Sequence, residues 1–291
     1  MAHPLNTEVP DPRFADLDRL SSDGVLRLMN QADADIPAAV AAEIPKIAAA
    51  VDSIADQLEQ GGRLFYIGAG TSGRLGVLDA SEIPPTFGVT PELVQGIIAG
   101  GAAAVSRATE ASEDDRDAGA RDLLAAGFES RDALVGVAAS GSTPYVLGAI
   151  SKANELGAVT CGISCNSGSE LARIAQFPIE PQTGPEVVAG STRLRAGTAT
   201  KMVLNMISTA VMIRLGHVYG NLMVNVQPTN RKLEERAVRI IERITGVSRE
   251  RATELLGLSG RSVRTAIVME KKNVSRDEAE DRKSTRLNSS H

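Results

Sequence analysis

The chain has 291 residues, of which 43% are apolar, enough for one large folded domain and a smaller appendage. Its formal net charge is −5, from 31 basic and 36 acidic residues. This mild acidity argues against nucleic acid as a partner, because domains that bind it are usually basic.

The sequence predicts a soluble, cytoplasmic protein that does not engage a membrane. The first residues are polar and interrupted by prolines, unlike a signal peptide. The longest apolar candidate, 202–215, is shorter than the roughly 20 residues that span a bilayer, and it contains Asn205 and Arg214. Cys161 and Cys165 lack neighbouring histidines, so we expect free thiols, at least one of them buried.

The N-terminal region, 17–58, is helical in pattern. Ser21 to Asp23 is a plausible helix cap, and apolar residues between Ile44 and Leu58 recur every three or four positions. Gly61 and Gly62 then end the helix.

Strands and helices alternate in the central region. Short apolar runs predict strands over 64–68, 94–99, 133–138, 158–164 and 177–179. The segments between them predict helices over 71–83, 102–126, 144–156, 169–174 and 197–215. Strands that are apolar throughout are typical of a sheet covered on both faces. The sequence therefore predicts a doubly wound parallel α/β fold, with ligands beyond the carboxyl ends of the strands.

The last part of the chain predicts a small helical domain. Amphipathic helices are expected over 233–244, 249–256 and 262–269, with Gly246 and Gly257 as breaks. The polar segment 282–291 has no apolar period, and we expect a disordered or foreign tail there.

Three strand ends carry loops rich in hydroxyl groups, and we call them the first loop (68–74), the second loop (140–144) and the third loop (190–198). Glycines in the first loop let the main chain approach a ligand, and a helix N-terminus favours an anion. The first loop lacks the Walker A pattern and is a weak dinucleotide fingerprint. One such loop is explained by helix capping, but three at one sheet edge favour a polyhydroxylated, phosphorylated ligand.

Four ionisable residues are candidates for chemistry. Glu82 lies near a predicted helix C-terminus, where partial burial would raise its pKa and favour a protonated acid, unless it is a surface residue. Glu113 lies in an acidic run that, taken locally, indicates a solvated face. Glu186 is a rival general base, whereas capping or packing is expected of His217.

These motifs resemble those of the N-acetylmuramic acid 6-phosphate etherases, a family of the sugar isomerase (SIS) superfamily. The resemblance runs from about residue 7 to about 280 and is carried by 68–76, 79–88, 98–101, 110–114, 138–144, 190–198 and 220–224. It implies an N-terminal helical arm (1–60), a SIS-type sugar-phosphate-binding domain (61–230) and a helical C-terminal domain (231–281).

The resemblance also implies a reaction: cleavage of the D-lactyl ether of N-acetylmuramic acid 6-phosphate, by elimination and then hydration, in cytoplasmic recycling of cell-wall amino sugars. The products are N-acetylglucosamine 6-phosphate and D-lactate. The family typically forms homodimers, and the reaction implies neither a metal nor another cofactor.

The residue roles implied by the resemblance override the local interpretation of Glu113. Glu82 is the acid that protonates the departing lactate, and Glu113 is the base. The resemblance implies that the phosphate is bound by Ser140, Ser142 and Thr143, and the sugar by Thr71 and Ser72. It adds three further substrate-binding residues: Ser191, Thr192 and Arg193. The arginine offsets the charge of the phosphate or of the lactyl carboxylate.

Two alternative functions stay open at this point. The first is a sugar-phosphate aldose–ketose isomerase on the same scaffold, with Glu186 as the base. The second is a non-catalytic sugar-phosphate sensor similar to glucokinase regulatory protein, a class that is usually much longer and has a second SIS domain.

Overall fold

Residues 5–107 and 112–281 are described in this computed structural model. The chain divides into two compact units, one of Met1–Ser81 and Pro91–Val211 and the other of Glu82–Thr90 and Met212–His291. The domain boundaries predicted from the sequence stay a prediction, and the predicted tail, 282–291, lies outside the described residues.

The first unit begins with short 3-10 turns and the helices α1 (Ser22–Asp33), α2 (Ile36–Ala42) and α3 (Ile44–Glu59). The predicted cap is confirmed, because Ser21 Oγ accepts the Gly24 N–H at 3.3 Å. The predicted end of α3 is confirmed as well, since Gly61 follows it with a φ of +86°.

All five predicted strands are confirmed to within a residue or two at their ends: β1 (Leu64–Gly68), β2 (Val94–Ile98), β3 (Ala133–Val137), β4 (Val159–Ile163) and β5 (Phe177–Ile179). They form a parallel sheet in the order β2-β1-β3-β4-β5. Gly68, the last residue of β1, pairs with both Ile98 and Val137. The carboxyl ends of these three strands are therefore level, and the loops that follow them emerge side by side.

Helices lie between the strands along the chain: α4 (Gly70–Phe87), α5 (Ala103–Ser106), α6 (Arg116–Ala125), α7 (Pro144–Glu155) and α8 (Glu170–Ile174). A longer helix, α9 (Arg195–Arg214), follows β5. The predicted end of α4 before Pro84 is wrong, because the helix continues to Phe87 and the Gly88 N–H donates to the Pro84 carbonyl at 2.9 Å. Pro84 and Pro85 each remove one hydrogen-bond donor, and the helix continues because its remaining main-chain hydrogen bonds are kept.

The single helix predicted over 102–126 is also wrong. In the described part of this segment Arg107 is extended, with φ −131° and ψ 144°, and Asp115 starts a new helix by accepting the Ala118 N–H at 2.9 Å. Residues 108–111 lie outside the described residues. The residue composition of 102–126 predicted one continuous helix, whereas the Asp115 carboxylate caps and starts a separate helix.

α9 is long and apolar enough, by length and composition alone, to cross a membrane. It is packed into the protein, with 56% of its most apolar window buried, as is typical of a core helix. Cys161 and Cys165 are both free and buried, as expected, and burial raises the pKa of each thiol to about 12.

The second unit confirms the three predicted C-terminal helices and adds a fourth: α10 (Arg231–Thr245), α11 (Arg249–Leu258), α12 (Val263–Lys272) and α13 (Arg276–Asp281). Apolar faces of α10, α11 and α12 meet in one core through Ile241, Leu255 and Ile267, and Val226 joins them from the preceding segment. Gly246 ends α10 in the left-handed conformation, with a φ of +79°.

Candidate active site

The first loop turns sharply from β1 into α4. A Cβ on Gly68 would lie 2.7 Å from the Gly73 nitrogen, and a Cβ on Gly73 would lie 2.6 Å from Ile98 Cγ1. Glycine is therefore required at both positions for the helix to approach the sheet. Thr71 and Ser72 stand half-buried in the first turn of α4, where helix amides lack intrahelical acceptors.

The second loop is shaped by Gly141, which has a φ of +70°. A Cβ on Gly141 would lie 2.2 Å from Ser169 Cβ, so the loop rests directly on the start of α8. Ser140 Oγ accepts both the N–H of Ser142, at 3.2 Å, and its hydroxyl, at 3.1 Å. Thr143 occupies the N-cap position of α7 without a side-chain capping bond. Simple capping therefore does not account for this group of hydroxyls.

The third loop leads into α9, and the cap of that helix comes from elsewhere. Glu186 accepts the N–H groups of Arg195, at 2.8 Å, and Ala196, at 2.9 Å, one on each carboxylate oxygen. Burial raises the pKa of Glu186, while these two bonds oppose the rise. Glu186, the rival general base, thus caps α9 in this structure. Ser191 and Thr192 are half-buried and are not required to cap that helix.

The three loops lie at the same edge of the sheet, as predicted. Pairing of β1 with β3 places the first and second loops side by side. A Cβ on Gly197 would lie 3.6 Å from Thr71 Cγ2, which places the third loop against the first. Arg193 is exposed in the third loop.

Glu113 joins the first and second loops. A Cβ on Gly70 would lie 3.0 Å from Glu113 Oε1, so the carboxylate is against the main chain of the first loop. The Glu113 carbonyl accepts the Tyr145 N–H, at 3.0 Å, in the first turn of α7. The side chain is half-buried. The local interpretation of a solvated acidic face therefore fails, because folding brings distant loops against this residue.

Glu82 lies on α4, one helical turn after Asp79, and belongs to the second unit. Its predicted partial burial is wrong: the side chain is exposed, and α4 continues beyond it to Phe87. The pairing of Glu82 with Glu113 stays a prediction.

Sequence reasoning missed a buried polar cluster between α4 and α9. Asp79, only 6% exposed, accepts hydrogen bonds on Oδ1 from Asn205 Nδ2, at 2.6 Å, and Ser208 Oγ, at 3.3 Å. Burial and the nearby Asp79 charge raise the pKa of Tyr66 on β1. The available signal was Asn205, a polar residue within the apolar stretch 202–207.

His217, in the second unit, is half-buried, and the capping or packing role expected of it stays a prediction. Its Nδ1 lies 2.8 Å from Asn225 Nδ2, and burial lowers its pKa.

Comparison with solved structures places this fold in a known class. An Escherichia coli CFT073 protein, solved in complex with a ligand, has 15% identity and a TM-score of 0.50, and the match covers 69% of this chain and 97% of that one. A putative phosphosugar isomerase involved in capsule formation from Bacteroides fragilis has 20% identity and a TM-score of 0.50, over 68% of this chain and 95% of that one.

Two family models match parts of the chain. Residues 46–154 match the glucokinase regulatory protein N-terminal SIS domain. Residues 220–274 match the C-terminal lid domain of glucokinase regulatory protein. The fold and the loops at its sheet edge thus define a protein of the SIS class.

Curated relatives identify the family within that class. A Clostridium beijerinckii N-acetylmuramic acid 6-phosphate etherase is 51% identical over 94% of this chain and 90% of its own length. A Vibrio cholerae protein of that name, numbered 2, is 55% identical over 91% of this chain and 86% of its own length. An Escherichia coli etherase is 51% identical over 94% of this chain and 92% of its own length. The chain belongs to the N-acetylmuramic acid 6-phosphate etherase family.

Proposed function

We propose that this chain cleaves the D-lactyl ether of N-acetylmuramic acid 6-phosphate to N-acetylglucosamine 6-phosphate and D-lactate, as a carbon–oxygen lyase. Identity of 51% and 55% to etherases over more than nine-tenths of the chain supports the reaction. The observation that carries the proposal is Glu113, whose Oε1 would be 3.0 Å from a Cβ on Gly70 at the hydroxyl-rich sheet edge.

The second loop holds the 6-phosphate in this proposal. Ser140, Ser142 and Thr143 precede α7, whose N-terminal amides and dipole favour an anion. Thr71 and Ser72 bind the sugar from the first loop. Ser191, Thr192 and Arg193 complete the site from the third loop, where the exposed guanidinium offsets the phosphate or the lactyl carboxylate.

Glu113 acts as the general base. In the ring-opened sugar the C1 aldehyde acidifies the C2 proton, which the Glu113 carboxylate removes. The electron pair forms a C2–C3 double bond, and the C3–O bond breaks as Glu82 protonates the departing lactate oxygen. Water then adds across the double bond, with hydroxyl to C3 and a proton to C2. Each general acid or base contributes about 10²–10⁴-fold to such steps.

The protein acts as a cytoplasmic homodimer in this proposal, within amino-sugar recycling. The homodimer rests on the resemblance described above, because the family typically forms homodimers. Sedimentation equilibrium tests this state, and a monomer at micromolar concentration contradicts it.

A single assay tests the activity. The protein is incubated with N-acetylmuramic acid 6-phosphate, and D-lactate and N-acetylglucosamine 6-phosphate are measured in equal amounts if the proposal holds. Ligand binding without lactate release would indicate a sensor. Interconversion of a hexose phosphate without lactate would indicate an isomerase.

A further inference from the structure

Arg74, the last residue of the first loop, binds the main chain of another segment. Its Nε donates to the Val105 carbonyl and its Nη2 to the Arg107 carbonyl, both at 3.1 Å. A planar guanidinium can serve two acceptors at once, which a lysine ammonium cannot do with the same geometry. The positive charge that follows the glycine-rich turn is therefore directed at two carbonyl groups.

Val105 and Arg107 begin the segment that leads to Glu113. At the other end of this segment the Glu113 carbonyl accepts the Tyr145 N–H at 3.0 Å. The carboxylate itself lies against Gly70, four residues before Arg74 on the same turn. The segment is thus attached at its start by Arg74 and at its end by α7.

We propose that Arg74 is a positioning residue that holds the segment bearing Glu113, so that the carboxylate stays beside the first loop. This inference rests on the proposed role of Glu113 as the base. Glu113 follows Arg107 by six residues, so the position of Arg107 limits where Glu113 can lie. A base displaced by about 1 Å costs on the order of 100-fold in rate.

The first experiment compares Arg74→Lys with the parent protein. The expected kcat for lactate release falls about 100-fold, while KM changes by less than about threefold. The primary isotope effect with C2-deuterated substrate rises, because proton removal becomes rate-limiting. Hydrogen exchange of amides in 102–107 and 112–115 becomes faster. Arg131→Lys is the matched control, since Arg131 forms an exposed ion pair with Glu129, and it should change none of these.

Arg74→Ala gives a second variant, in which added methylguanidinium should restore part of the lost kcat. A double variant tests whether the loss acts through Glu113: Arg74→Lys in a Glu113→Gln background should cause no further loss. A normal kcat and isotope effect in Arg74→Lys overturns the inference, as does a full additional loss in the double variant. A normal rate in Glu113→Gln instead overturns the proposed base, and faster exchange in Arg74→Lys would still report the attachment.

Discussion

A Cβ placed on Gly70 would lie 3.0 Å from Glu113 Oε1, so the main chain of the first loop and this carboxylate are neighbours. Gly70 also has a φ of +52°, which L-residues with side chains seldom adopt. The two constraints act on one position. The turn that forms the ligand cradle is therefore also the surface against which the proposed base is placed.

Gly70→Ala tests this relationship. We expect a stability loss of about 1–2 kcal/mol from the left-handed conformation. We also expect kcat to fall, by less than about 100-fold, because the added Cβ displaces the Glu113 carboxylate by less than the roughly 1 Å that costs that factor. Urea unfolding and lactate release measure the two effects. Gly61→Ala is the control: Gly61 has a φ of +86° with nothing within 4 Å of its Cβ position, so it should lose stability without losing activity. Equal activity in both variants would contradict the role of the contact.

Glu113→Gln and Glu82→Gln should each lower kcat by about 10²–10⁴-fold, because each removes one proton-transfer group. KM should change little, since neither residue is proposed to hold the phosphate. Lactate release measures the rate, and loss of C2 hydrogen exchange in D₂O identifies the base variant. Glu155→Gln, at an exposed ion pair with Lys152, is the control. A near-normal rate in either test variant removes that residue from the mechanism.

Ser142→Ala should raise KM for the sugar phosphate about tenfold or more, because a hydrogen bond to a charged group contributes about 1.5–3 kcal/mol. The value of kcat should change far less, since the reacting carbons are remote from the phosphate. Ser167→Ala, at an exposed serine outside the three loops, serves for comparison. An unchanged KM would argue that the second loop does not bind the phosphate.

Asp79→Ala should destabilise the first unit by about 1–3 kcal/mol, since the partly buried amide of Asn205 loses its 2.6 Å acceptor. The double variant Asp79→Ala, Asn205→Ala should lose less than the sum of the single changes. Urea unfolding of the four proteins gives the coupling. Strict additivity would mean that the hydrogen bond contributes no coupling.

Stability should fall as the pH falls below about 6.5, the ordinary pKa of histidine, because burial lowers the pKa of His217 in the folded protein. The unfolded chain then binds a proton before the folded chain does, and unfolding is favoured. Urea unfolding at pH 7.5 and 5.5 measures the difference, which should be smaller in His217→Gln. An identical pH dependence in both proteins would assign the effect to other groups.

The strands were predictable because each is an apolar run bounded by turn-forming residues. The end of α4 was not predictable, since packing decides whether a helix tolerates Pro84. Gly76 and Gly96 let α4 pack closely against the sheet. A Cβ on Gly76 would lie 2.9 Å from Tyr66 Cβ, and a Cβ on Gly96 would lie 2.7 Å from Val77 Cα. The helix break before Asp115 was missed because local composition there favours a continuous helix.

The sequence by itself determined the parallel α/β layer, the three hydroxyl-rich loops and the buried thiols, because these follow from apolar patterning and turn chemistry along the chain. Only the tertiary structure decided that Glu113 lies beside Gly70, that Glu186 caps α9 and that Arg74 reaches two carbonyl groups. The contacts of Glu113 with Gly70 and of Arg74 with Val105 join residues far apart in the chain, and the cap joins two segments separated by a loop. They depend on the order of strands in the sheet and on how closely helices pack against it, which local patterns do not encode.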